Sequence, residues 1–112
     1  MSLVYLISSD KMGNQDPELG QKLMRNFLLK LLEASEKPTH ILLVERGVQL
    51  LQPEFLVTDA LKVLEKEYDV EIMACMTCLD YYGIKDKIEV GQIVGMIDII
   101  NIMHGSDKVI NL

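Results

Sequence analysis

With 112 residues the chain reads as one domain, residues 1–112, long enough to bury about two thirds of the surface its unfolded form would expose. Seventeen acidic against eleven basic residues, with no basic cluster, exclude the electrostatic footprint of a nucleic-acid binder and leave small ligands or proteins as partners. Forty-nine per cent hydrophobic but only five per cent aromatic residues describe an aliphatic core that needs no disulfide. The start of the chain carries no export-signal pattern, and its apolar runs fall far short of the ~20 residues of a membrane span, so a soluble cytoplasmic protein is expected.

Leu3 to Ser8 is an apolar strand, followed by a polar loop from Ser9 to Gln15. Asp16 can cap a helix with Pro17 in its first turn, and Leu19, Leu23, Phe27, Leu28, Leu31 and Leu32 recur at helical spacing down to about Ser35. Pro38 separates this helix from a second strand, His40 to Glu45, which runs into Arg46 and Gly47. A second helix is predicted from about Pro53, with Leu56, Val57, Ala60, Leu61 and Leu64 inward, until Asp69 opens a third strand that ends at Cys75.

Beyond it the spacing predicts a short helix closed by Gly83, a fourth strand somewhere in Ile88–Val94, a helix over Met96–His104 and a strand over Lys108–Leu112. Strands alternating with helices predict a mostly parallel sheet covered on both faces, with ligands at the carboxyl ends of the strands. The loop after the first strand, the Arg46 loop and the Cys75–Cys78 turn all meet that edge. No phosphate-binding glycine loop is present.

The only two cysteines form Cys75-Met76-Thr77-Cys78, where an apolar strand gives way to a polar turn. Thr77-Cys78-Leu79-Asp80 has the spacing of a capping box, which would make Thr77 the cap and Cys78 the first helical residue. Free backbone N–H groups there favour a thiolate, the Asp80 charge opposes it and Lys85 and Lys87 can offset Asp80, which leaves the net pKa unsigned by the sequence. Cys75 is expected to be a buried strand residue. His40 and His104 are not in ligand spacing with the cysteines, so no metal or other cofactor is expected.

Taken together, Ser8-Ser9-Asp10 with Met12-Gly13, Leu19-Gly20 with Lys22-Leu23-Met24, Cys78-Leu79-Asp80 with Tyr82-Gly83, and the closing Asp107-Lys108-Val109-Ile110 resemble the DsrE-like sulfur-relay family. The chain is most similar to the DsrE-like carboxy-terminal domain of YedF-type proteins, which are associated with sulfur transfer and selenium metabolism. The resemblance implies a three-layer α/β/α sandwich around a parallel five-stranded sheet, assembled into homo-oligomers such as trimers or hexamers. It makes Cys78 the candidate persulfide carrier, with Cys75 as a helper or resolving thiol. The family pattern has glycine where this chain has Met76, a departure that stiffens the turn. YedF-type proteins also carry a TusA-like domain that is absent here, so a separate TusA-like chain is a candidate donor or acceptor.

Three functions are open on these residues. The first is a sulfur carrier or sulfurtransferase centred on Cys78, with Ser9, Asp10, Arg46 and Thr77 shaping its pocket. The second is a thiol-disulfide redox module, against which stands the position of Pro17, Pro38 and Pro53, all before Cys75. The third is a non-catalytic assembly or small-ligand-binding subunit of a relay complex, for which the helix around Ile97, Ile99, Ile100, Ile102 and Met103, apolar on most sides, would supply contact surface beyond its core packing.

Overall fold

The structure is a computed structural model that describes residues 2–112. Five strands, β1 (Leu3–Ile7), β2 (His40–Leu43), β3 (Glu71–Cys75), β4 (Gln92–Val94) and β5 (Lys108–Asn111), pair in parallel in the order β4-β3-β2-β1-β5. Four helices connect them, α1 (Pro17–Lys30), α2 (Thr58–Glu67), α3 (Met76–Tyr82) and α4 (Met96–His104). The sequence-based fold class is what the structure shows.

The chain order explains the layers. From β1 to β4 the strands step steadily across the sheet, so crossovers of one hand keep α1 and α2 on one face. Reaching β5 requires a return past β1, and the same hand then puts α4 on the other face. Alternation along each strand serves both layers: Tyr5, Ile7, Ile41, Leu43 and Ile72 pack with Met24, Leu28, Leu61 and Leu64. Their neighbours Val4, Leu42, Met73 and Cys75 pack with Ile99 of α4. Strands buried on both sides need near-continuous apolar runs, which is what β1 and β2 have.

Several sequence expectations are corrected. The α1 face that meets the core runs through Gly20, Met24 and Leu28 to Leu31, leaving Leu19 and Leu23 exposed at 52% and 44%. The cause is the loop after β1, which lies on the helix: the Met12 N–H donates to the Gly20 carbonyl at 3.0 Å, and a side chain at Gly20 would strike the Met12 carbonyl. The helix also ends earlier than Ser35, passing into a 3-10 turn over Leu31–Glu33.

No α-helix begins at Pro53. The segment forms 3-10 turns over Glu45–Leu51 and Pro53–Phe55, and Leu56 is exposed in a left-handed conformation (φ +65°), so α2 starts only at Thr58. The third strand opens at Glu71, because Asp69 takes φ +54°, and the fourth is confined to Gln92–Val94. Asp16, by contrast, caps α1 as expected, its carboxylate accepting from the Leu19 N–H at 3.1 Å.

Candidate functional site

Because all five strands are parallel, their carboxyl ends lie along one edge, and β1, β2 and β3 are neighbours there. The continuations of these strands supply Ser9 and Asp10, Glu45 and Arg46, and the two cysteines. Register brings the end of β2 level with the end of β3, Leu43 beside Ala74, so Glu45 faces the first turn of α3. Glu45 takes φ +50°, a conformation unusual for a residue with a side chain, and its N–H donates to Cys78 Sγ at 3.1 Å. The following turn is pinned by Gly47, whose Cα approaches the Ile7 carbonyl so closely that a Cβ has no room.

The capping expectation for Thr77 is overturned. Cys75 stays extended at the end of β3 (φ −67°, ψ 122°) and is itself the residue before the helix, so α3 starts at Met76 with no side-chain cap. Thr77 is the second helical residue and is exposed, and Cys78 is the third, half-buried where the two core layers meet. Cys75 is buried, as expected, at 2% exposure. Both thiols are free, and the two side chains pack in the same cluster.

Burial pushes the Cys78 thiol above its ordinary pKa; the Glu45 N–H pulls it down, while the neighbouring Cys75 and the Glu45 carboxylate push it up again, and the net direction is upward. The sequence leaves the sign of this shift open; burial makes it upward, so the protonated thiol is the resting form at neutral pH. Cys78 opens onto a pocket of about 380 Å³ lined by Glu45, Thr77, Tyr81 and Tyr82. Tyr81 stands out from the surface at 83% exposure and meets the Tyr82 ring edge-on.

Asp10 and Arg46 come together, but neither lines the pocket. Asp10 is buried, and its carboxylate accepts from Arg46 Nε at 3.2 Å and Lys11 Nζ at 3.3 Å. Burial alone would raise the Asp10 pKa; the Arg46 and Lys11 hydrogen bonds and charges outweigh it and hold the carboxyl below its usual range. The Arg46 guanidinium then lies 5.8 Å from the centre of the Tyr82 ring, which forms a wall of the pocket. Ser9 turns back on its own loop, its Oγ accepting from the Lys11 N–H at 3.0 Å. It lines no part of the Cys78 pocket.

Sequence reasoning missed Glu45, Tyr81 and Tyr82. The tyrosines carried a signal, since they follow Cys78 by three and four residues and so share its helical face. Glu45 carried none, because its contact depends on sheet register. Among the described residues no helix is long and apolar enough to cross a membrane.

No match is found among the curated proteins. Seven chains of solved structures match, and one of them, the ychN protein from E. coli, superposes with a TM-score of 0.67 at 16% identity over 100% of both chains. That likeness is one of fold, and it agrees with the parallel five-stranded sheet described above. The sequence itself matches the DsrE/DsrF-like family over residues 1–112, which include the β3–α3 turn and both cysteines. This chain belongs to the DsrE/DsrF-like family, whose members are generally tied to sulfur relay.

Proposed function

We propose that this chain is a single-domain sulfur carrier in which Cys78 accepts a sulfane sulfur as a persulfide and passes it to the thiol of a partner protein. The observation that supports this reading best is the Glu45 N–H held 3.1 Å from Cys78 Sγ at the mouth of an open pocket. In loading, the Cys78 thiolate attacks the outer sulfur of a donor persulfide, a new S–S bond forms, and the donor leaves as its thiolate. A hydropersulfide is more acidic than the thiol it comes from. The raised pKa of the bare thiol thus keeps the empty carrier protonated, while the loaded form is an anion that the Glu45 N–H favours.

The same reading places the chain beside the YedF-type proteins of sulfur and selenium metabolism, in a reducing cytoplasm, with a TusA-like protein as donor or acceptor. Homo-oligomers, trimers or hexamers, fit the layer arrangement: α4 alone covers one face of the sheet, and Met96, Ile97 and Ile100 remain exposed on it. A second reading, a non-catalytic assembly subunit, is favoured by the half-buried, protonated thiol.

Peptide-resolved mass spectrometry after exposing the reduced protein to an inorganic polysulfide separates them. A reducible gain of one sulfur at Cys78, absent in Cys78→Ser, is the expected result. A Cys78 that gains no sulfur and resists alkylation until the protein unfolds establishes the assembly reading instead.

A further inference from the structure

The two cysteines are ordered in depth. Cys75, the residue before the helix, is sealed in the core, and Cys78, one turn later, faces the pocket. Helical geometry separates two such positions by about 5–6 Å between Cα atoms, which falls inside the ~4.4–6.8 Å range that a disulfide spans. Both side chains pack in the same cluster under α4, with Val94 and Met73 around them. The Cys78 side chain therefore meets three things: the Glu45 N–H, the open pocket and, in that shared cluster, the Cys75 thiol. The third is a nucleophile that no outside molecule can reach.

Resting on the carrier reading of Cys78, we propose that Cys75 discharges it: Cys75 Sγ attacks Cys78 Sγ, closes a Cys75–Cys78 disulfide and expels the carried sulfur as hydrogen sulfide. The balance is internal. One S–S bond forms between the two cysteines and the bond to the carried sulfur breaks; that sulfur is reduced to sulfide, and the two thiols are oxidised to the disulfide. The proton lost by Cys75 ends on the sulfide. No external oxidant is needed, and an external dithiol returns the pair to its reduced state.

Burial serves this chemistry. A solvent-exposed second thiol would compete with the partner for every incoming sulfur, whereas a thiol behind Cys78 acts only on sulfur already loaded. The fate of the cargo is then a contest between the acceptor arriving through the pocket and Cys75 closing from within. The acceptor wins when it docks promptly, and otherwise the sulfur leaves as sulfide.

Two probes test the step. In the first, reduced wild type, Cys75→Ala and Cys75→Ser, each confirmed folded by its melting curve, are loaded with inorganic polysulfide, desalted and followed without reductant. Wild type is expected to lose its Cys78 persulfide with matching sulfide release and a mass loss of two hydrogens, at a rate independent of protein concentration. Both variants should hold the persulfide at least about tenfold longer.

The second probe, 5,5′-dithiobis(2-nitrobenzoate), attaches thionitrobenzoate to Cys78 whatever the natural cargo is. The native protein should then release a second thionitrobenzoate and end as the internal disulfide, and Cys75→Ala should stop at the mixed disulfide. A Cys78 adduct that persists unchanged in wild type overturns the discharge step. Failure of polysulfide loading, with the second probe still resolved by Cys75, overturns the carrier reading and leaves the resolving role of Cys75 in place.

Discussion

The backbone N–H of Glu45 donates to the thiol of Cys78 at 3.1 Å, although 33 residues separate the two along the chain. Glu45 reaches this position in a left-handed conformation, and its carboxylate sits beside the thiol that its amide stabilises. The same residue thus favours the thiolate through its backbone and opposes it through its side chain.

Removing only the charge separates these effects. Glu45→Gln is expected to speed alkylation of Cys78 at pH 7 by roughly two- to fivefold, the effect of an exposed charge interaction of about 0.5–1 kcal/mol. In wild type the alkylation rate should go on rising beyond the ordinary thiol value of about pH 8.5, since only the thiolate reacts and its pKa is raised. A rate that levels off below pH 8 contradicts the description of the site.

Asp10 makes a prediction with the opposite pH sense. Its folded pKa lies below the ordinary carboxylate value, so the Asp10–Arg46–Lys11 group stabilises the fold at any pH above about 4. That contribution is lost as the pH falls through the folded value, where the carboxyl takes up its proton. Asp10→Asn should lower stability by about 1–2 kcal/mol at pH 7, allowing for the partly exposed cations. Urea titrations should show the difference from wild type shrinking toward pH 2.

Gly47 holds the Glu45 turn against β1. Gly47→Ala forces its new methyl group onto the Ile7 carbonyl and should cost about 1–3 kcal/mol, read from the urea midpoint. Because the turn also aims the Glu45 N–H, the variant should alkylate at Cys78 with an altered rate under conditions where it is still folded.

The α4 face tests assembly. Ile97 is 64% exposed on the helix that alone covers its side of the sheet. Ile97→Lys should leave the melting of the monomer nearly unchanged, since a surface substitution usually moves stability by less than about 0.5 kcal/mol. By light scattering the wild type should have the mass of a trimer or hexamer and the variant a smaller one; identical masses would remove α4 from the interface.

How far this protein can be read from its residues depends on the range of the interactions involved. The Asp16-Pro17 start, the Gly83 stop and the limits of α4 are local, and each stands where the sequence places it. The alternation of strand and helix was enough for the parallel sheet and for the edge at which the cysteines lie. The faces of the helices were harder: Leu19, Leu23, Phe27, Leu28, Leu31 and Leu32 suggest one stripe, but the Met12 loop lying on Gly20 turns another inward. The α3 start shifted because β3 runs straight into it, leaving Thr77 no room to cap.

The site divides in the same way. Residue spacing alone put Cys75 and Cys78 at a strand-to-helix turn and made Cys75 the buried member. Only the tertiary structure decided what surrounds them, because strand register carries Glu45 to Cys78 and the fold brings Arg46 onto the buried Asp10 from 36 residues away. The direction of the Cys78 pKa belongs to that second class: a helix start is visible in sequence, but the burial of the thiol and the opposing effects of the Glu45 N–H and carboxylate are not, and burial decides the direction.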